Sequence, residues 1–347
     1  MSAVTTHERP GVYSVYTVSA AVTGSARRGT AAIAAQSAGG TVGTVYAITS
    51  YAQAAEAFGE SDGLTALVKL MLANGAGKVL ATPVRSSDYA AAFALLAAEE
   101  DVEVVTCDSA SLSIQQGLRD SVESASQARR ERIAVVCAAP AETAAQMVTR
   151  AAGLNSERVV LAGPAASSTD TPAGQVAAAV AGAICGDSDP AVPLGGAVLR
   201  GIGTLAATLG ESEIDTLVRG GVTPVELVGG KCSVIRGVTT RTRTDGVTDP
   251  TWRELTTIRV VDNVVPGIRD ALHIRFTRAK NTAQVRGAIR SQVILELEQR
   301  KAAEIITDYG EVTVEALAEN PTVCLVTFSF TVAHGLNQIW LSAQITV

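Results

Sequence analysis

The first candidates for acid–base or metal chemistry in this chain are its three histidines, His7, His273 and His334. His7 lies in a polar leader, His273 in a helical pattern and His334 in a turn-like stretch. None has a second ligand at the short spacing of zinc sites, and the cysteine nearest His334 is Cys324. No G-x-S-x-G frame or similar context supports a Ser–His–Asp triad. The segment NGAGKVL (74–80) is an incomplete phosphate loop. Leu72 stands where its first glycine belongs, and Val79 where a serine or threonine would hold magnesium. A helix ending at Gly75 before a strand explains the segment better. GIGTLA (201–206) fits G-x-G-x-x-A, with Glu226 some twenty residues on. It follows a Pro/Gly-rich loop rather than a clean strand. The enzyme reading left open is therefore a Rossmann-like NAD(P)-binding protein using Gly201 and Gly203. No catalytic residue, cofactor or metal is otherwise expected.

One charge feature stands apart. Arg269, Arg275, Arg278, Lys280, Arg286 and Arg290 share their stretch with a single acid, Asp270, in a chain of net charge −6. Arg286 and Arg290 are four apart and share a helix face. Such a stretch is either a solvated face or a contact for an acidic partner. The overall acidity argues against a general nucleic-acid binder. Cys107, Cys137, Cys185, Cys232 and Cys324 are far apart in apolar patterns and read as buried free thiols of a cytosol-made protein.

The elements that would position these residues follow from the apolar pattern. Charged residues are 18% of the 347, and mean hydropathy is +0.25, which permits a large core. No apolar run is long enough to span a bilayer, and residues 1–11 contain no apolar core of a signal peptide. Short apolar runs at 43–49, 78–84, 102–109, 132–140 and 158–165 alternate with helical patterns. These runs do not alternate internally, which suits strands covered on both faces. The rhythm predicts an α/β domain with a largely parallel sheet. A small-residue helix (175–185), a short helix (211–221) and a hairpin-like pair (222–244) follow. From about Asn263 the pattern is helical, and a second helix starts with Asn281 as N-cap and Gln284 three on. Val285, Ile289, Val293 and Leu297 share one of its faces. Strict alternation then predicts two strands, Cys324–Val332 and Ile339–Val347. Val12–Val18 reads as another strand at the opposite end. Neither terminal strand has an obvious partner in the chain.

Several of these segments together carry a family resemblance. They are 9–21 (RPGVYSVYTVSAA), 141–164, 176–202, 217–262 and 320–347, which between them span nearly the whole chain. In their types and order they resemble the contractile tail sheath proteins of phages, R-type tailocins and related injection machines. Residues 141–202 are similar to the central domain called subtilisin-like, which lacks protease function.

The resemblance implies an architecture and a mechanism. An N-terminal arm strand (1–20) precedes an α/β outer sheath domain (21–240), an α+β inner C-terminal domain (241–337) and a C-terminal arm strand (338–347). Subunits stack around an inner tail tube in an extended metastable state and contract to drive the tube through a cell envelope. The arms add strands to neighbouring subunits, which implicates Val12, Tyr13, Val15, Tyr16, Val18, Ile339, Leu341, Ile345 and Val347. A helix of the inner domain touches the tube, a role that suits Arg275, Arg278, Lys280, Arg286 and Arg290. The implied partners are sheath subunits of the same kind, the inner tube protein, and baseplate and tail terminator proteins. No direct nucleic-acid contact and no membrane insertion are implied. The location is a virion tail or an extracellular contractile particle assembled in the bacterial host cytoplasm.

Overall fold

Strand β1 (Thr30–Gln36) lies inside the main sheet, third of its nine strands, although its alanine-rich sequence does not announce a strand. The computed structural model describes residues 29–167, 173–337 and 339–344. Ala31, Ile33 and Ala35 of β1 face one core, and Ala32 and Ala34 face another. Burial on both sides removes any need for an apolar–polar alternation, so the pattern that marks half-buried strands is missing here.

The following elements are β2 (Tyr46–Ile48), α1 (Tyr51–Phe58), α2 (Gly63–Ala73), β3 (Lys78–Val84), α3 (Tyr89–Ala98), β4 (Val102–Cys107), α4 (Leu112–Gln127), β5 (Ile133–Cys137), α5 (Ala144–Leu154) and β6 (Val159–Gly163). Then come α6 (Gln175–Gly186), β7 (Val198–Leu199), α7 (Glu211–Arg219), β8 (Val222–Val228) and β9 (Lys231–Val234). The sheet order is β2-β3-β1-β4-β5-β6-β8-β9-β7. From β3 to β8 the strands run parallel, with antiparallel β2 on one side; on the other, β9 runs antiparallel to β8 and β7 antiparallel to β9. The expected largely parallel sheet is thus present. Helices α1, α2 and α6 cover one face, and α3, α4, α5 and α7 the other.

Small residues set the spacing between α2 and α6. A Cβ on Gly182 would run into the Met71 carbonyl oxygen, and one on Gly186 would lie 2.9 Å from Gly75 Cα. Gly75 itself has φ +124°, a conformation that side chains disfavour. NGAGKVL is therefore a helix end that turns into β3 while its backbone touches α6. This agrees with the helix-end reading and adds a packing reason for the glycine.

The C-terminal part comprises β10 (Arg243–Thr244), β11 (Val247–Thr248), α8 (Leu255–Phe276), α9 (Ala283–Ala302), β12 (Ile306–Tyr309), β13 (Thr313–Leu317), β14 (Asn320–Thr327) and β15 (Phe330–Val332). Helix α8 starts well before the expected Asn263. Its first half is rich in Thr, Ile and Val, residues of modest helix propensity, and packing overrides that preference. Leu255 and Ile258 join the α/β core, whereas Val260, Val264 and Ile268 join a separate core with Val293, Leu297, Ile306 and Val312. One helix thus belongs to both parts. The start of α9 also differs from expectation. Thr282 caps it, its side chain accepting from Val285 N at 3.3 Å. Asn281 instead donates to the Pro321 carbonyl at 2.7 Å, tying the helix start to β14.

The alternation over Cys324–Val332 is real but interrupted. β14 pairs antiparallel with β13, and β15 with β12. The two pairs form one long hairpin that bends at Gly310 and at Phe328–Ser329, where Gly310 N donates to Ser329 O at 2.9 Å. Val326, Phe328, Phe330 and Val332 nevertheless all pack toward the same core.

Candidate assembly surface

In an open parallel sheet a ligand would be sought beyond the carboxyl ends of the strands, where the strand order reverses. Here that place lies between β1 and β4, and the chain's own groups fill it. Asp108 accepts from Gln36 N at 3.0 Å and from the Tyr89 hydroxyl at 2.5 Å. Burial raises the pKa of both Asp108 and Tyr89, and the neighbouring Asp108 pushes Tyr89 further up. Gln115 donates to the carbonyls of Ser109 and Cys137 at 3.0 and 2.8 Å. Gly174, just before α6, lies so close that a Cβ there would sit 2.8 Å from Asp108 Cα.

The GIGTLA loop does not make a nucleotide site either. It follows β7, a two-residue edge strand paired only with β9, and the next helix, α7, begins only at Glu211. The strand–turn–helix unit that would present a helix N-terminus to a pyrophosphate is missing. Glu226 sits within β8, paired with Ser233 of β9. The NAD(P) enzyme reading is accordingly corrected. His273 lies near the end of α8 and His334 follows β15, while His7 is outside the described residues. No group of His, Cys, Asp and Glu among the described residues could hold a metal ion. All five cysteines are free, four buried and Cys324 half-buried, and burial pushes the thiols of Cys137 and Cys232 up to about 11. No described helix is long and apolar enough to cross a membrane.

Exposed apolar chain and open strand edges concentrate instead around the hairpin and the residues after it. Among the described residues, β13 and β14 form a sheet of two strands, as do β12 and β15, so each keeps an unpaired edge. Beyond β15, Leu336, Ile339 and Leu341 are 74%, 78% and 92% exposed, and residues 339–344 join no sheet. On β14, Leu325 is 53% exposed. Open edges beside exposed apolar chain are a template for pairing with another chain. Ile345, Val347 and the N-terminal set Val12, Tyr13, Val15, Tyr16 and Val18 lie outside the described residues.

The basic stretch separates into engaged and outward-facing residues. Arg269, on α8, pairs with Glu131 across the junction with the α/β part. Arg275 bonds Gln292 of α9, Arg286 bonds Asn281 Oδ1 at 3.0 Å, and Arg290 Nε donates to the Val312 carbonyl at 2.7 Å. That last bond satisfies a carbonyl at the hairpin bend. Arg278 and Lys280 stand exposed in the turn between α8 and α9.

Helix α8 is also bound to the α/β part by charge. Arg158 grips Asp262 with two bonds of 2.8 and 3.0 Å, and Arg259 donates to the Asp187 carbonyl at 2.9 Å. Burial, aided by the carboxylates of Glu131 and Glu157, outweighs Arg158 and raises the Asp262 pKa. Burial also works against the Glu131 carboxylate, but there the bonded Arg269 wins and lowers its pKa. The Arg158–Asp262 and Arg269–Glu131 pairs join residues more than a hundred positions apart, so no local pattern could have revealed them.

Residues 82–240 match the family model described as phage tail sheath protein central domain, and residues 247–346 match the phage tail sheath C-terminal domain. No curated protein is similar enough to be matched. Among solved structures the fold is similar to a chain of the anti-feeding prophage baseplate, with TM-score 0.73, 14% identity, and coverage of 99% of this chain and 100% of that one. The helical sheath of the same particle in its contracted state gives TM-score 0.72 at 15% identity, with coverage of 98% and 99%. A sheath tail protein from Listeria innocua gives TM-score 0.72 at 13% identity, covering 88% of this chain and 92% of its own.

Proposed function

The chain belongs to the phage tail sheath family and is a structural sheath subunit, not an enzyme; from that premise we propose that it polymerises through its chain ends around a tail tube and contracts to drive that tube through a cell envelope. The observation that carries this reading is the pair of open-edged sheets beside a terminal segment whose Ile339 and Leu341 are almost wholly exposed. A strand added from a neighbour supplies main-chain hydrogen bonds at the edge and buries alternate side chains. Burying Ile339 and Leu341 is worth on the order of 1.5–3 kcal/mol each, before ordering costs. In this proposal Ile345 and Val347 continue the alternation read from the sequence, and Val12, Tyr13, Val15, Tyr16 and Val18 are the corresponding arm residues at the other end.

The body of the subunit is built to move as a block while such links hold. One helix, α8, shares both cores, and three arginines bind it to the α/β part. The turn carrying Arg278 and Lys280, flanked by Arg275, Arg286 and Arg290, is the proposed contact with an acidic tube surface. Baseplate and terminator proteins cap the polymer, which forms in the bacterial host cytoplasm and serves as the tail of a phage or prophage-derived particle. The similarity to sheath and baseplate chains of the anti-feeding prophage supports this reading. A double substitution, Ile339→Asp with Leu341→Asp, tests it: a folded monomer that no longer forms sheath cylinders is expected, and cylinders of normal yield would refute it.

A further inference from the structure

Gly29, the first described residue, and Gly335, just after β15, both rest on one short stretch, the end of α6 and the loop after it. At the N-terminal side, Gly29 N donates to the Cys185 carbonyl at 2.8 Å, and Gly29 O accepts from Gly77 N at 3.0 Å. At the C-terminal side, Gly335 lies flat on the Pro193 ring: a Cβ there would come within 2.8, 2.9 and 3.1 Å of the Pro193 Cβ, Cγ and Cδ atoms. The stretch between these two points, Cys185–Pro193, is held from two further directions and braced from within. Gly186 touches the Gly75 backbone at the end of α2. Arg259 of α8 donates to the Ile184 and Asp187 carbonyls at 3.3 and 2.9 Å. Inside the loop, the Asp189 carboxylate accepts from Ala191 N at 2.9 Å.

We infer that Cys185–Pro193 is a common seat for the roots of both terminal arms, with Pro193 and Arg259 as its positioning residues, so that load taken up by one arm passes to the other through this stretch rather than across the sheet. The physical basis is the number of fixed points on a short segment. Close-packed backbone contacts transmit displacement because they have no slack, and a guanidinium holding two carbonyls keeps the loop in one place. Gly186 and Gly335 are required for contact: a Cβ at 186 would meet Gly75 Cα at 2.9 Å, and any side chain at 335 would lift the C-terminal root off the proline. Arm direction, and hence the angle at which a neighbour is held, is then set in the monomer before assembly.

The inference rests on the reading of the chain ends as connectors between subunits. The test is Gly335→Ala in the full chain, with thermal unfolding of the monomer, the critical concentration for polymerisation, and helical rise and twist from electron micrographs. The expected result is an unchanged monomer melting temperature, a critical concentration raised about tenfold, and altered twist in any cylinders that form. Wild-type critical concentration and wild-type twist would overturn the inference. If Gly335→Ala does not fold, Pro193→Gly removes the ring without adding an atom at 335. A raised critical concentration for that variant supports the seat, and an unchanged one overturns it. Removal of Ser342–Val347 separates the two levels. If that truncation polymerises normally, the connector reading itself falls. If it does not, while Gly335→Ala behaves as wild type, only the seat falls.

Discussion

Arg158 and Asp262 meet in a two-pronged ion pair, 2.8 and 3.0 Å long, that joins the amino end of β6 to the helix shared by both parts of the subunit. Both side chains are more than four-fifths buried, at 15% and 18% exposure. Removing one partner leaves the other charge stranded in a poorly solvated place. Arg158→Met should therefore lower stability by about 1–3 kcal/mol, less than for a fully enclosed pair. Urea unfolding measures it, and a double-mutant cycle with Asp262→Asn isolates the coupling.

The same carboxyl gives a pH signature of known sign. Its folded pKa is raised above the ordinary 3.8, so between those two values the native state holds more protons than the unfolded one. Asp262 then contributes stability that is present at low pH and is lost as pH rises through the raised folded pKa. Glu131, held low by Arg269, works in the opposite direction: its contribution is present above the unfolded carboxylate range and is lost as pH falls through its folded pKa. Asp262→Asn should accordingly compare better with wild type at pH about 7 than at pH about 4. Denaturant titrations at both values check this, and a difference that does not vary with pH would contradict the assignment.

Two glycines in helices should respond oppositely to the same change. Gly182→Ala gains helix propensity but places a Cβ against the Met71 carbonyl, so a net loss of about 1–3 kcal/mol is expected. Gly117, on α4, has nothing within 4 Å of its would-be Cβ, and Gly117→Ala should stabilise by up to about 1 kcal/mol. Parallel thermal melts of the two variants read the contrast.

Within the basic stretch, folding and partner contact should separate by residue. Arg290→Ala strands the Val312 carbonyl at the hairpin bend and should cost about 1–3 kcal/mol of stability. Arg278→Glu with Lys280→Glu touches only exposed positions, so the monomer should keep its melting temperature while assembly on a tube is lost. Co-sedimentation with purified tubes distinguishes them. Unchanged tube-bound assembly in the double variant would remove the basic turn from the contact.

Much of the α/β part was legible because β-branched runs and amphipathic helices follow local rules. The strands at Lys78–Val84, Val102–Cys107, Ile133–Cys137 and Val159–Gly163 lie where the apolar runs predicted them. β1 was not legible, because an alanine-rich strand buried on both faces has neither alternation nor β-branched enrichment. The first half of α8 was hidden for the opposite reason: its Thr, Ile and Val residues favour a strand locally, and only the two cores they enter make it a helix. The bend at Phe328–Ser329 preserves the facing of the side chains, so alternation could reveal the faces but not the break. The basic cluster was visible as charge. Its division into engaged and outward-facing residues depends on partners such as Glu131 and Val312, which the order of the chain does not bring together.

The central claim is that the chain end is the connector of the polymer. Removing Ser342–Val347 and imaging the purified protein by negative-stain electron microscopy tests it most directly. The account predicts a monomer with unchanged melting temperature and no striated cylinders under conditions where the full chain forms them. Cylinders of normal width and yield from the truncated chain would contradict it.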